Sequence, residues 1–265
     1  MNQKVAVITG GSGTLGKAMA KGLAEQGVKV FLLGRNLAAA RAVAAEFTEL
    51  GYQADAVQCD VVDEAAVENA AKVVLQSAGK VDILVNCAGG NMRGATVMPD
   101  QSIFDISVEQ FRKVSDLNLM GSVIPTIAFA KTMVEQKQGC IINISSMASF
   151  QPLTRVIGYS ASKAAINNFT QWMAVELAQK YGSGIRVNAI APGFFIAKQN
   201  RALLLNDDDT LTQRGETIIS QTPMKRFGNP EDLVSTLLWL CDDQSSFVTG
   251  IVVPVDGGYS AFSGV

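Results

Sequence analysis

The chain has 265 residues, of which 48% are hydrophobic and 17% charged, a composition that fits one large domain and excludes a disordered or fibrous chain. Its formal charge is −2 and it has no block of lysines and arginines, so nucleic-acid binding, which needs a concentrated basic surface, is not expected. The lack of histidine excludes histidine-based catalytic triads and zinc sites that depend on histidine ligands.

Short apolar runs alternate with segments of helical period along the whole chain. The runs are rich in Val and Ile and mostly continuous, which is typical of strands covered on both faces. The predicted strands are Val5–Thr9, Lys29–Leu33, Ala54–Cys59, Val81–Asn86, Cys140–Ser145, Ile185–Ile190 and Ile251–Val255. The predicted helices cover residues 15–26, 36–50, 63–77, 107–136, 158–181 and 230–241. This alternation predicts a single-domain, doubly wound α/β fold over residues 1–265, with a seven-stranded parallel sheet and helices on both faces.

The first predicted strand leads into a glycine-rich turn, in which Gly11, Gly13 and Gly16 have the spacing GxGxxG. Such a turn lets a diphosphate approach backbone N–H groups at the positive end of a helix, because glycine has no Cβ. Its place between a strand and a helix predicts a dinucleotide site rather than merely a tight turn. The residues expected to contact the dinucleotide are Gly10, Ser12, Gly13, Thr14, Leu15 and Gly16.

The end of the second strand, about 20 residues further on, indicates the type of nucleotide. A carboxylate there would bind the ribose 2′-hydroxyl of NAD, but this sequence has Arg35 followed by Asn36. An arginine without a neighbouring carboxylate can pair with a 2′-phosphate. We therefore expect NADP(H) to be favoured over NAD(H); the alternative is a solvated Arg35 beside a helix cap.

Tyr159 and Lys163 stand four residues apart in a predicted helix, which places the phenol and the ammonium on one face. Lowering the pKa of a phenol from about 10 to about 7 requires roughly 4 kcal/mol. An ammonium about 4 Å away supplies about that much at an effective dielectric constant near 20. We therefore expect Lys163 to lower the pKa of Tyr159. Alone, this pair would more often be an exposed feature of a helix.

Polar residues also follow two other predicted strands, at the sheet edge where open α/β folds bind ligands. Ser146 comes directly after the fifth strand, and the segment Asn86–Gly89 ends the fourth. Asn118 lies inside the long predicted helix, where an asparagine is ordinarily a solvated residue or a mild helix defect.

Taken together, these motifs resemble the short-chain dehydrogenase/reductase family. The matching segments, in the family's order, are Thr9–Gly16, Cys59–Val61, Asn86–Gly89, Asn118, Ser146, Tyr159 with Lys163, and Pro192–Gly193. The resemblance implies a Rossmann fold and an NAD(P)-dependent oxidoreductase acting on CH–OH groups. It also implies a homotetramer, as is common in the family.

The resemblance implies a role for each matching residue. Tyr159 would donate or accept the proton, Lys163 would hold the nicotinamide ribose, and Ser146 would hydrogen-bond the substrate oxygen. Asn118 would anchor a water in the proton relay. Besides Tyr159 and Lys163, the cofactor contacts carried over are Asp60, Val61, Asn86, Ala88, Gly89, Pro192, Gly193 and Phe195. The chain departs from the family at Thr14, usually glycine, and at Ala197, often threonine.

A second set of segments resembles the branch of the family that interconverts D-fructuronate and D-mannonate. The segments are Phe150–Arg155, Ala191–Phe195, Gln199–Leu204, Thr222–Gly228 and Val255–Val265. A sugar acid needs a clamp for its carboxylate, and a bidentate arginine would fix the position of the carbonyl. The candidates are Arg93, Arg155 and Arg201, with Gln199 nearby; one or two of these arginines are expected to be ordinary surface residues.

Residues 194–223 form a connection longer than usual, and we expect a substrate lid there rather than a disordered insert. The alternative activities are a keto-gluconate reductase and a 3-oxoacyl carrier-protein reductase. The latter needs a basic surface for its acidic carrier, whereas this segment contains Asp207–Asp209. A nucleotide-sensing regulator on the same fold is the non-enzymatic alternative, and it predicts an incomplete set of catalytic residues.

The four cysteines, Cys59, Cys87, Cys140 and Cys241, form no CxxC pair, and we expect buried free thiols. No run approaches eighteen apolar residues, and no charged leader precedes Val5–Ile8. We therefore expect a soluble cytoplasmic protein that binds a small molecule, without a membrane or a metal.

Overall fold

A computed structural model, which describes residues 1, 3–197 and 200–264, contains a seven-stranded sheet whose neighbouring strands all run parallel. The strands are β1 Val5–Thr9, β2 Lys29–Gly34, β3 Ala54–Gln58, β4 Ile83–Asn86, β5 Gly139–Ile144, β6 Ile185–Pro192 and β7 Val252–Val255. Their order in the sheet is β3-β2-β1-β4-β5-β6-β7, so the direction of winding reverses between β1 and β4. Ligands bind at such a reversal, beyond the carboxyl ends of the strands.

Helices cross between the strands and cover the sheet. They are α1 Thr14–Glu25, α2 Leu37–Glu49, α3 Glu64–Ala78, α4 Val108–Ser115, α5 Gly121–Gln136, α6 Ile157–Tyr181, α7 Arg201–Leu204, α8 Gln213–Gln221 and α9 Val234–Cys241. A π-helical turn, Asp116–Met120, joins α4 to α5, and a 3₁₀ turn, Pro230–Leu233, leads into α9.

The strands bury side chains on both faces, which explains their continuous apolar sequences. In β1, Ala6 and Ile8 pack on the face covered by α1, α2 and α9, whereas Val5 and Val7 pack on the face covered by α3, α5 and α6. All four are at most 4% exposed. The predicted single-domain, doubly wound fold with seven parallel strands is therefore confirmed.

The predicted strands and helices agree with the observed ones to within two residues at their ends, except at the start of one helix and in the interior of another. Predicted helix 230–241 begins with the 3₁₀ turn, and predicted helix 107–136 is interrupted by the π-helical turn. The segment Val108–Gln136 is also long and apolar enough to cross a membrane, by length and composition. Half of its most apolar window is buried inside the molecule, where Phe129 and Met133 belong to the core.

Candidate active site

The backbone of the glycine-rich turn after β1 lies close to the backbone that follows β4, at the carboxyl edge of the sheet. Gly10 has φ +64°, and a Cβ there would lie 3.0 Å from Ala88 Cα. The N–H of Gly13 donates to the Gly10 carbonyl at 2.9 Å, and α1 begins at the next residue. Thr9 secures the neighbouring strand end, since its Oγ1 accepts from the N–H groups of Cys87 and Ala88. The turn therefore leaves the first N–H groups of α1 near the edge where β4 ends.

A cleft of about 550 Å³ opens beside this turn. Its walls come from the turn, from the ends of β2, β3 and β4, and from the π-helical turn. The lining residues are Gly10, Ser12, Gly34, Arg35, Asn36, Cys59, Asp60, Val61, Ala88, Gly89 and Leu117. Eight of the predicted cofactor residues are therefore in one place: Gly10, Ser12, Arg35, Asn36, Asp60, Val61, Ala88 and Gly89. The position, at the reversal of strand order, is where a dinucleotide binds in this architecture.

The side chain of Asn118 ties the π-helical turn to the end of β4. Its Nδ2 donates to the carbonyls of Gly90 at 2.7 Å and Val114 at 2.8 Å, and its Oδ1 accepts from the Gly90 N–H at 3.1 Å. Asn118 is fully buried, so the interpretation as a solvated residue is wrong. It does lie in an irregular part of the helix, the π-helical turn, and its amide points inward toward Gly90.

Tyr159, Lys163, Ser146 and Asn118 lie together beside Gly89, a residue of the cleft wall. Lys163 Nζ lies 5.5 Å from the centre of the Tyr159 ring and donates to the Ile144 carbonyl at 2.7 Å. A Cβ built on Gly89 would come within 3.4 Å of Lys163 Nζ and 2.8 Å of Asn118 Oδ1. A hydrogen bond with the Ser146 side chain lowers the pKa of Tyr159. The four residues predicted to be catalytic therefore form one cluster.

Burial shifts the pKa values of both Tyr159 and Lys163. Desolvation raises the pKa of Tyr159, and the bond to Ser146 offsets this only in part. Burial lowers the pKa of Lys163 to about 8, with Cys87 opposing the shift. Without a cofactor, the pKa of Tyr159 is therefore raised, because desolvation outweighs the hydrogen bond to Ser146. That Lys163 and a bound nicotinamide together lower this pKa stays a prediction for the cofactor-bound protein.

The side chains of two other predicted cofactor residues, Asn86 and Phe195, make contacts within the protein instead of lining the cleft. The Asn86 amide nitrogen donates to Thr126 and Asn143, both at 2.8 Å, in a buried network. Phe195 is 6% exposed, packs in the core and pairs with Gly228, so its side chain does not line the cleft. Gly193, by contrast, is pinned at the end of β6, where its N–H donates to the Val255 carbonyl at 2.9 Å.

The three arginines proposed to bind the substrate carboxylate lie in different surroundings. Arg93 lies exposed in a 3₁₀ turn, and Arg201 forms an ion pair with Asp209. Arg201 would have to give up that ion pair to bind a substrate carboxylate. Arg155 is half-buried, two residues before α6. Gln199, like Lys198 beside Ala197, lies outside the described residues.

The predicted lid, residues 194–223, contains two helices, α7 and α8, rather than a featureless insert. Leu205 and Leu211 form an isolated β-bridge between these two helices.

Two residues that line the cleft, Gly34 and Leu117, were not predicted from the sequence. Each adjoins a residue that was predicted, Arg35 and Asn118, so adjacency along the chain is the signal that could have found them. The four cysteines are free thiols, as predicted; Cys59, Cys140 and Cys241 are buried as expected, whereas Cys87 is only partly buried.

Comparisons with known proteins agree with this geometry. The family model for short chain dehydrogenase matches residues 4–207. The uncharacterized oxidoreductase UxuB of Bacillus subtilis is 49% identical over 271 residues, which cover 99% of this chain and 96% of that protein. The 3-oxoacyl-[acyl-carrier-protein] reductase of Synechocystis is 36% identical over 264 residues, 99% of each chain.

Solved structures share the fold over the whole length. A "putative D-mannonate oxidoreductase" of Haemophilus influenza with bound NAD has a TM-score of 0.93 and 41% identity, covering 100% of this chain and 98% of that one. A gluconate 5-dehydrogenase of Burkholderia cenocepacia in complex with NADP and tartrate has a TM-score of 0.89 and 30% identity, covering 98% and 96%.

Proposed function

Because this chain belongs to the short-chain dehydrogenase/reductase family and is an NAD(P)-dependent oxidoreductase, we propose that it interconverts the keto and hydroxyl forms of a six-carbon sugar acid, D-fructuronate and D-mannonate. The observation that carries the chemistry is the cluster of Tyr159, Lys163, Ser146 and Asn118 beside the cleft residue Gly89. The substrate class is supported by the likeness, over the whole chain, to the Haemophilus structure.

The cleft fits a nicotinamide dinucleotide. Gly89 and Gly10 leave space where a Cβ would collide with neighbouring atoms, and α1 begins at the glycine-rich turn. Gly10, Ser12 and the start of α1 would hold the diphosphate, and Lys163 would hold the nicotinamide ribose. The bound cofactor supplies or accepts the hydride.

The protein's own residues handle the proton and the substrate oxygen. Tyr159 donates its proton to the carbonyl oxygen during reduction and takes it back during oxidation. Ser146 is 7% exposed and positions that oxygen by a hydrogen bond, as its contact with Tyr159 allows. Asn118, fixed by Gly90 and Val114, holds the far side of the cluster rigid. A fixed set of donors reduces the reorganisation that the transition state requires.

We further propose that NADP(H) is the preferred cofactor. Arg35 is exposed at the end of β2, lines the cleft and belongs to no ion pair among the described residues, so its guanidinium is available for a 2′-phosphate. Asn36 is engaged as the cap of α2, where its Oδ1 accepts from Ala39 N at 3.0 Å. The NAD bound to the Haemophilus protein supports the opposite preference, for NAD(H). Measuring kcat/KM with NAD(H) and with NADP(H) decides between the two cofactors.

A 3-oxoacyl carrier-protein reductase is the second candidate, and the Synechocystis relative favours it. Against it, exposed Asp207, Asp208 and Asp209 lie on the lid, where an acidic carrier would be repelled. A nucleotide sensor without catalysis is disfavoured because all four catalytic residues converge.

The deciding experiment is a spectrophotometric screen with NADH and NADPH against D-fructuronate, 5-keto-D-gluconate and a 3-oxoacyl thioester, and with NAD and NADP against D-mannonate and D-gluconate. The proposal requires the highest kcat/KM for the D-fructuronate and D-mannonate pair. Faster turnover of the thioester would assign the second candidate. Cofactor binding without turnover of any compound would assign a sensor.

Assembly and location remain proposals as well. We propose a homotetramer, because α5 and α6 expose Ile127, Trp172 and Val175, and the carboxyl-terminal part exposes Trp239 and Phe247. Light scattering after size exclusion should give four times the monomer mass. We also propose a cytoplasmic location, since four free thiols suit a reducing compartment.

A further inference from the structure

Two arginines from separate elements meet beside the amino end of the catalytic helix. Arg214, in the first turn of α8, donates from Nη1 to Thr154 Oγ1 at 3.2 Å. Thr154 directly precedes Arg155, which in turn lies four residues before Tyr159. Arg155 is a candidate from the sequence because it lies close to Tyr159 along the chain, whereas Arg214 is brought near only by the path of residues 194–223.

Arg214 contacts the residue next to Arg155, so two positive charges lie on the same side of the turn before α6. Among the described residues, neither Arg155 nor Arg214 belongs to an ion pair. Partial burial and, to a smaller extent, the nearby positive charge of Arg155 lower the pKa of Arg214. Both side chains are half-buried. Like charges held together in this way favour binding of an anion between them.

The backbone around Arg155 keeps this arrangement in place. Arg155 has φ +77°, a left-handed conformation that residues other than glycine adopt at a cost. Its carbonyl accepts from the Val97 N–H at 2.9 Å, which secures the turn before α6. On the other side, Tyr259 is near enough to raise the pKa of Arg214, and its ring packs edge-on against Phe194 at 5.2 Å. Phe194 follows the Pro192–Gly193 end of β6.

We infer that Arg155 and Arg214 together form the carboxylate clamp of the substrate, one arginine from the base of the catalytic helix and one from the lid. The inference rests on the proposed sugar-acid chemistry and names the side of the site that recognises the acid group. Arg214 enters with α8, so carboxylate binding and lid position are coupled. Bidentate pairing by two arginines selects an anionic substrate over a neutral sugar of the same shape.

The test compares charged and neutral compounds in Arg214→Gln, Arg214→Lys and Arg155→Gln. D-fructose replaces the carboxylate of D-fructuronate with a hydroxymethyl group, and D-mannitol does the same for D-mannonate. We expect each glutamine variant to raise KM for D-fructuronate about tenfold to a hundredfold, with a smaller change in kcat and unchanged cofactor affinity. Arg214→Lys should recover part of the loss. Arg41→Gln, an exposed arginine of α2, is the matched control.

A binding readout separates this inference from the proposed function. In the presence of cofactor, D-mannonate should raise the melting temperature of the native protein and of Arg41→Gln, but not of the two glutamine variants, whereas D-mannitol should raise none. Sugar-acid turnover that is indifferent to both glutamine substitutions would overturn the clamp and leave the proposed function standing. Arginine-dependent stabilisation by carboxylates without turnover would support the clamp and overturn the proposed function. Absence of both stabilisation and turnover overturns both.

Discussion

Gly89 and Asn118 approach each other so closely that no side chain fits between them. A Cβ on Gly89 would lie 2.8 Å from Asn118 Oδ1, an atom that already accepts the Gly90 N–H at 3.1 Å. Because that amide is fixed by three hydrogen bonds, it cannot move aside cheaply. We therefore expect Gly89→Ala to displace Asn118, to destabilise the protein by about 1–3 kcal/mol, and to reduce cofactor affinity and kcat together.

Gly34→Ala is the steric control for the folding effect. A Cβ on Gly34 would meet only Ser12 Oγ, at an ordinary contact distance of 3.7 Å. Its melting temperature should therefore stay close to that of the native protein. Equal melting temperatures for Gly89→Ala and the native protein would show that Asn118 yields easily, contrary to the argument.

Much of this site was accessible from sequence because its residues are tied to strand ends. A buried parallel strand is a continuous apolar run, so its carboxyl end can be located, and Gly10, Ala88 and Ser146 follow from that position. Lys163 was accessible through helical spacing. These inferences need only local pattern and the rule that parallel strands share an edge.

The remaining features depend on contacts between distant segments. The buried amide of Asn118 finds its partners in Gly90, 28 residues away, which offers both a donor and an acceptor. The pairing of Arg201 with Asp209 and the approach of Arg214 to Thr154 depend on the path of the lid. Likewise, the residue type of Phe195 does not reveal whether its ring faces the cofactor or, as here, the core.

Tyr159→Phe tests the proton transfer at the centre of the mechanism. The substitution removes one hydroxyl and keeps the ring that packs beside Lys163. We expect kcat to fall by about 10²–10⁴-fold, the usual contribution of a general acid, while cofactor affinity measured by fluorescence titration is unchanged. Tyr181→Phe, at the exposed end of the same helix, is the matched control and should retain full activity. Substantial turnover by Tyr159→Phe would assign the proton to another group.

Arg35→Glu tests the cofactor preference. A carboxylate in place of the guanidinium would repel a 2′-phosphate and accept hydrogen bonds from a 2′-hydroxyl. We expect the ratio of kcat/KM for NADP over NAD to fall by about a hundredfold, since a charge-assisted pair is exchanged for a repulsion. Measuring both cofactors in the native protein, in Arg35→Glu and in Arg41→Gln gives the comparison. A native preference for NAD that is insensitive to Arg35→Glu would contradict the assignment.

The buried ammonium of Lys163 implies a conflict between stability and activity. Burial lowers its pKa from 10.5 to about 8, so below about pH 8 the folded protein bears the cost of a buried charge, with the Ile144 carbonyl as its hydrogen-bond acceptor. Lys163→Met should therefore stabilise the cofactor-free protein by about 1–3 kcal/mol at pH 7 while abolishing turnover. Lys163 loses its proton near pH 8 in the folded protein and near pH 10.5 in the unfolded chain. As the pH rises through this range, the native protein gains stability, so the difference in unfolding free energy between Lys163→Met and the native protein should shrink. Denaturant unfolding of both proteins at pH 7 and pH 10 measures this difference. A variant less stable than the native protein at pH 7 would mean that the bond to Ile144 outweighs the cost of burial.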